Sequence, residues 1–192
     1  MTVTLERKDP GSYRYSMDTR VKWGIFNAYI EEQSNFDFSN GIVMPSSFQL
    51  TQRVSFYKRR EVVEFDWVSM KATGEKKRDA FELDIVPGMQ DKLSVYLLLA
   101  QLICRGEYDI DAQVVSGPKL KTYDYRFQAV EPLDTVLGRV GAIHIRRGGP
   151  NDEKQTDMWH AGVTHFLPVK MVYRNGDMIT DMRLMEILFR EE

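Results

Sequence analysis

The side chains that could perform chemistry in this sequence are few, and the first group lies near residue 160. His160 and His165 flank Gly162, and Asp157 precedes them. Imidazole and carboxylate groups bind zinc, but a zinc site needs three or four ligands in tetrahedral geometry. Gly162 and the following Leu167-Pro168 favour strand and turn here, not the helix that presents two histidines in metalloproteases. The pattern favours surface or interstrand histidines, so we expect neither a metal nor a cofactor.

Nucleophilic and acid–base catalysis find little more support. The sequence has no G-x-S-x-G motif, and Cys104 lies in an apolar segment where a buried, unreactive thiol is expected. Asp66 and Asp84 alternate with apolar strand positions, and would share one face if their strands paired as a hairpin. Solvated carboxylates on an outer face are the simpler interpretation. We therefore expect a protein that is not an enzyme, and keep a hydrolase built on His144, His160 or Asp66 as the third hypothesis.

Composition excludes several classes of partner. The 192 residues carry a formal net charge of −2 from 26 basic and 28 acidic residues, so no strong positive field attracts nucleic acid. The longest apolar stretch, residues 93–104, is too short to span a bilayer, which predicts a chain that is not transmembrane. The single cysteine allows no internal disulfide.

Period-two alternation of apolar and polar residues is the dominant pattern, and it predicts strands. The predicted strands lie near 13–23, 26–38, 48–56, 63–67, 81–85, 123–127, 133–147, 167–173 and 178–189, with a further short strand at Trp159 and with 71–78 as a polar hairpin loop. Asn40-Gly41 and Asn175-Gly176 are hairpin signals. Short strands joined by polar turns indicate a β-meander.

One segment has helical spacing instead. Asp91 can cap the start of a helix over Asp91–Arg105, and Gly106 can supply the left-handed residue after its end. The wide apolar surface of this segment predicts a largely buried helix. The predicted fold is mainly β: one domain over residues 1–192, a curved antiparallel sheet resembling a half-barrel, with the helix on its concave side.

Aromatic side chains should gather on the inner face of that sheet. We name Trp23, Phe26, Phe65, Trp67 and Tyr125 as candidate ligand-binding residues. Two interpretations stay open: a filled core beneath the helix, or an apolar cavity for a lipid or another apolar ligand.

Basic residues cluster in two of the predicted loops. They are Arg59, Arg60, Lys76, Lys77 and Arg78. A solvated surface is the simplest interpretation, and a docking patch for a protein partner of the cell envelope is the alternative function.

An ordered set of short motifs resembles a known family over nearly the whole chain. The motifs are Phe65-Asp66-Trp67, Asp91-Lys92-Leu93-Ser94, Thr135-Val136-Leu137-Gly138, Trp159-His160-Ala161 and Leu167-Pro168-Val169-Lys170. They resemble the bacterial exported proteins grouped as domain of unknown function 3108. The resemblance implies a periplasmic protein of a Gram-negative bacterium whose signal peptide has been removed, since the first residues include no apolar signal segment. It supplies no activity and no catalytic residues.

The strand order is also similar to the half-barrel of periplasmic lipoprotein carriers, which is an analogy of fold alone. Together these features predict a non-enzymatic binder or carrier of an apolar or cell-envelope ligand on the concave face of the sheet.

Overall fold

The computed structural model describes residues 1–23, 26–54 and 57–191. Its strands are β1 (Thr2–Asp9), β2 (Ser12–Trp23), β3 (Phe26–Ser39), β4 (Ile42–Val54), β5 (Tyr57–Asp66), β6 (Lys71–Lys76), β7 (Asp79–Asp84), β8 (Ile110–Val115), β9 (Leu120–Thr135), β10 (Gly138–Arg147), β11 (Lys154–Ala161), β12 (Pro168–Asn175), β13 (Met178–Arg183) and β14 (Glu186–Glu191). The helix α1 covers Ser94–Cys104, and a 3₁₀ turn covers Gly162–Thr164. The predicted class, mainly antiparallel β with one helix, is confirmed.

The strands form two sheets where the sequence analysis predicted one. The first has the order β14-β1-β2-β3-β4-β5-β6-β7, and the second has the order β13-β12-β11-β10-β9-β8. The chain accordingly divides into two compact units. The first unit contains Met1–Val95, Gln113–Lys121 and the residues from Ile187, and the second contains Tyr96–Ala112 and Thr122–Glu186. That the chain is one domain, with α1 on a concave face, stays a prediction.

Tight hairpins join the strands of the first unit. Asn40 and Gly41 both have positive φ, of 54° and 74°, between the paired residues Ser39 and Ile42. Two successive positive φ values define the turn that suits the twist of a two-residue hairpin, and asparagine and glycine tolerate them. This turn was predicted, and it is confirmed.

The ends of α1 also follow the prediction. The Asp91 carboxylate accepts hydrogen bonds from the backbone N–H groups of Leu93 (2.7 Å) and Ser94 (2.8 Å), while the Ser94 hydroxyl accepts one from the Asp91 N–H. This reciprocal arrangement satisfies N–H groups that the first turn of a helix leaves without partners. At the other end Gly106 has φ +84°, and the Glu107 N–H bonds the Leu102 carbonyl at 2.9 Å. The Asp91-Lys-Leu-Ser94 motif is therefore a helix cap.

Strand β6 was wrongly predicted to be a loop. Its inward positions hold small residues, Ala72 and Gly74, so the sequence has no large apolar side chains there to mark a strand. A Cβ atom at Gly74 would lie 2.1 Å from the Val62 carbonyl oxygen and 2.7 Å from a Phe81 ring carbon. Close packing therefore excludes from this strand the large apolar side chains whose alternation would have predicted it.

Two other segments were predicted as continuous strands and are not. Residues 133–147 form a hairpin whose turn is Val136-Leu137, closed by the Thr135 hydroxyl donating to the Gly138 carbonyl at 2.9 Å. Residues 178–189 divide at Leu184-Met185 into β13 and β14, which belong to different sheets. Cys104, predicted to be buried, is exposed because it is the last residue of the helix.

Candidate binding cleft

The second unit contains a cleft that is lined in part by the tip of the β9–β10 hairpin. Strand β10 pairs with β11 only from Ala142 onward, whereas β10 residues 138–141 pair with β9 alone. The tip of the β9–β10 hairpin therefore extends beyond the end of β11. Its turn residues Val136 and Leu137 are apolar yet exposed.

A β-bulge forms the opposite wall. In β12, Lys170 pairs with Trp159 and Pro168 pairs with His160, so Val169 is an extra residue on that strand. A bulge redirects side chains that would otherwise alternate between faces. Val169 and Lys170 consequently both line the cleft, although they are neighbours in sequence.

The cleft has a volume of about 280 Å³. It is lined by residues from the hairpin tip, from β12 and from the end of β13: Leu133, Asp134, Thr135, Val136, Val169, Lys170, Arg183, Leu184 and Met185. This volume lies just below the range of small-molecule sites, which is about 300 to 1,000 Å³. The lining suits a short apolar group with polar contacts at its border.

Lys170 is held over the indole of Trp159. Its Nζ atom lies 4.3 Å from the ring centroid, within range of a cation–π interaction. From the strand on the other side of β11, the His144 ring stacks on the same indole, at 4.3 Å between centroids and an interplanar angle of 15°. The indole N–H donates to Glu131. Trp159 is thus fixed by β9 and β10 and forms a rigid platform for Lys170.

A buried carboxylate secures the same face of the sheet. Asp157 is 1% exposed and accepts hydrogen bonds from Arg146 Nε at 2.7 Å and from Arg174. Nε2 of His144 lies 2.8 Å from its Oδ1 atom. Burial works to raise the pKa of Asp157, but the hydrogen bonds from Arg146, His144 and Arg174 outweigh it and hold the pKa below its ordinary value. Asp157 is therefore an ionised anchor.

The predicted histidine group does not come together. His160 is buried, and its Nδ1 atom lies 2.8 Å from the Phe166 carbonyl oxygen, while His165 takes a left-handed conformation (φ 52°) after the 3₁₀ turn. Burial lowers the pKa of His160 to about 4. Asp157 pairs with β10 residues on the face opposite His160. Within residues 1–23, 26–54 and 57–191, no group of three or more potential ligands is placed to hold a metal ion.

The two carboxylates considered for acid–base chemistry make a turn hydrogen bond and a surface ion pair instead. Asp66 is exposed and accepts hydrogen bonds from the N–H groups of Val68 and Ser69, which lower its pKa. Asp84 lies 2.7 Å from Lys71 Nζ. The expected hairpin between their strands is wrong, because β6 lies between β5 and β7.

The predicted aromatic site divides between the units. Phe65 is buried and stacks on Trp67, whose indole N–H donates to the Pro45 carbonyl at 2.8 Å, all in the first unit. Tyr125 is buried in the second unit. The side chains of Trp23 and Phe26 lie outside the described part of the chain. A ligand-binding role for these five residues stays a prediction.

The predicted basic patch is smaller in the structure. Arg59 and Lys76 lie 3.1 and 3.4 Å from the buried carboxylate of Glu61, so they are held by the core. Lys92 joins them at 2.5 Å from the other oxygen of Glu61. The exposed members are Arg60, Lys77 and Arg78.

The group around Asp157 and Trp159 could not be predicted from the sequence, because the pairing of β10 with β11 creates it. Once His144 is placed opposite Trp159, Arg146 must stand opposite Asp157. The alternation of His144 and Arg146 with apolar Ile143 and Ile145 was the available signal. The cleft also needs the bulge at Val169, which no sequence pattern marked.

These features define a two-sheet antiparallel β protein with one helix and a surface cleft of mixed apolar and cationic lining. The model of the family described as "Protein of unknown function (DUF3108)" matches residues 1–178, so the chain belongs to this family and the resemblance is confirmed. The fold is similar to a crystal structure of a beta-barrel-like protein of domain of unknown function DUF1849 from Brucella abortus. The two share 10% identity with a TM-score of 0.56 over 91% of this chain and 80% of that one. No curated protein matches the sequence.

Proposed function

We propose that this protein is a non-enzymatic binder or carrier of an apolar or cell-envelope ligand, and that the cleft of the second unit holds the ligand. The observation that carries the proposal is the exposed apolar lining of a concave site. Val136 is 54% exposed and Met185 is 64% exposed, and both line the cleft. Apolar surface that folding leaves open in a concave site is typical of ligand binding.

Burial would supply the binding energy. Removing apolar surface from water contributes roughly 25 cal/mol per Å², before the cost of ordering the ligand. Val169 and Leu184 already form a buried floor, and the Leu184 N–H bonds the Val169 carbonyl at 2.9 Å. A bound chain would therefore meet a rigid surface beneath it.

The geometry of His144 supports a binder over a hydrolase. Its Nε2 atom lies 2.8 Å from Asp157, and its Nδ1 atom lies 3.6 Å from a carboxylate oxygen of Glu131. A general base needs a ring nitrogen directed at the substrate. Both nitrogens of His144 instead face carboxylates of the protein.

The proposed location is the periplasm, where a soluble carrier of envelope material would work. The support is the export that the family resemblance implies. Among the described residues, no helix combines the length and the apolar character needed to cross a membrane. Detection of the chain in a periplasmic fraction, with a cytoplasmic marker protein absent, would test this location.

An alternative function rests on the exposed cations Arg60, Lys77 and Arg78. The Lys77 N–H bonds the Arg60 carbonyl at 3.3 Å, which brings these residues to one end of the first sheet. A protein partner with an acidic surface would suit this cluster. Charge neutralisation of the three residues should abolish such an association, and salt should weaken it.

The cleft is tested by titrating the protein with 1-octanol and following methyl signals by nuclear magnetic resonance. We expect saturable shifts at Val136 and Met185, and at least tenfold weaker binding in Met185→Asp, because a charge would be desolvated. The matched control is Ile179→Asp, which alters an equally exposed apolar residue outside the cleft. Equal binding by both variants, or no saturable binding by the native protein, would refute the proposal.

A further inference from the structure

Two cations of the cleft stand directly opposite each other. Lys170 on β12 pairs with Arg183 on β13, so their side chains lie on the same face. Like charges at directly opposed positions of an antiparallel pair destabilise a sheet. Both residues line the cleft.

The surroundings position Lys170 without neutralising it. Its Nζ atom is over the Trp159 ring, and none of the described carboxylates lies within ion-pair distance of it. Arg183 donates through Nε and an Nη atom to the carboxylate of Asp181, at 3.4 and 3.2 Å, so its charge is already paired. Lys170 therefore contributes to the cleft lining an ammonium group that no described carboxylate neutralises.

We propose that the ligand is a single-chain alkyl carboxylate, a fatty acid, whose chain occupies the cleft and whose carboxylate is bound by Lys170. This inference rests on the proposed function and names the ligand class of the same site. A carboxylate suits the site because it accepts a charge-assisted hydrogen bond from the Lys170 ammonium and neutralises its charge. The length of chain inside the cleft is limited by its volume of about 280 Å³.

Asp134 sets a limit on this selectivity. It is an exposed carboxylate on the hairpin wall of the same cleft, so it repels an anionic ligand. Lys170 nevertheless supplies the donor that a carboxylate can bind, whereas the ionised Asp134 supplies only acceptors. Removal of the Asp134 charge should therefore tighten carboxylate binding without affecting a neutral ligand.

The test compares three probes with the same eight-carbon chain: octanoate, 1-octanol and octyltrimethylammonium, each below its micelle concentration. We expect octanoate to bind about tenfold more tightly than 1-octanol at low salt, since a charge-assisted hydrogen bond is worth that factor or more. Equal affinity of octanoate and 1-octanol, or tighter binding of the ammonium probe, would overturn the inference and leave the proposed function standing. Binding of none of the probes would remove both.

Matched variants locate the head group. Lys170→Gln should weaken octanoate binding about tenfold and leave 1-octanol unchanged, while Asp134→Asn should strengthen octanoate binding. Lys154→Gln removes an exposed cation on β11, outside the cleft, and should change octanoate binding less than about twofold. The same loss in Lys154→Gln as in Lys170→Gln would mean that net charge, and not the cleft, attracts the anion.

Discussion

The Asp157 network gives the sharpest prediction about what stabilises the second unit. In Asp157→Asn the two arginines and His144 lose an ionised acceptor that is 1% exposed. The amide cannot accept from all three donors, and its own N–H group faces them. We predict a large loss of stability from this near-isosteric change.

The magnitude follows from the geometry. At an effective dielectric constant of about 20, one ion pair at about 2.7 Å is worth roughly 6 kcal/mol before desolvation is subtracted. Removing one partner of a buried pair costs about 3–5 kcal/mol. Arg146 and Arg174 remain 32% and 39% exposed, so water partly replaces the lost acceptor. We therefore expect a loss of about 3 kcal/mol in the free energy of unfolding.

The assay is urea unfolding at pH 7, followed by circular dichroism. The control is Asp111→Asn, which breaks an exposed 2.8 Å pair with Arg126 in the same unit and should cost less than about 1 kcal/mol. Because the pKa of Asp157 is lowered in the folded state, its contribution is complete above the unfolded value of about 3.9 and is lost as the pH falls through the folded value. Equal losses in the two variants, or a difference that does not shrink as the pH is lowered below the unfolded value, would refute this account.

Three further predictions concern the first unit and the hairpin of the second. Burial raises the pKa of Glu32, on β3, to about 7, so ionisation of this residue destabilises the folded state as the pH rises from about 4.3 through about 7. Glu32→Gln should therefore be more stable than the native protein by about 1–3 kcal/mol at pH 8 and equal to it at pH 4. A pH-independent difference in urea unfolding would contradict this. Asp91→Ala should cost about 1–2 kcal/mol and speed hydrogen exchange of the first-turn amides of α1, whereas unchanged exchange would mean that the cap is dispensable. Gly74→Ala should lower the free energy of unfolding by about 1–3 kcal/mol or more, because the added Cβ meets Val62 and Phe81. In the control Gly141→Ala the added Cβ meets open space, so the change should stay within about 0.5 kcal/mol. Similar melting temperatures for both variants would disprove the packing argument.

Local patterns predicted much of the fold. Alternation located most strands, and the Asn40-Gly41 turn and the caps of α1 were predicted because each depends on a few neighbouring residues. Strand β6 was missed because Gly74 and Ala72 carry no apolar signal. The break at Leu184-Met185 was missed because sheet membership depends on distant partners.

The candidate cleft could not be predicted for the same physical reason. It depends on the register of β10 against β11 and on the extra residue Val169 in β12, which are tertiary properties. Lys170 was noted only as part of a family motif. Pairing of β12 with β11 and β13 places it beside Trp159 and opposite Arg183.

The central claim is that the cleft of the second unit binds a fatty acid. Photocrosslinking with a diazirine-bearing octanoate, followed by peptide mass spectrometry, tests it most directly. We predict saturable labelling of the hairpin tip at 133–136 and of Leu184-Met185, reduced by excess octanoate and by Lys170→Gln. Labelling concentrated at Phe65 and Trp67, or labelling that excess octanoate does not reduce, would contradict the claim.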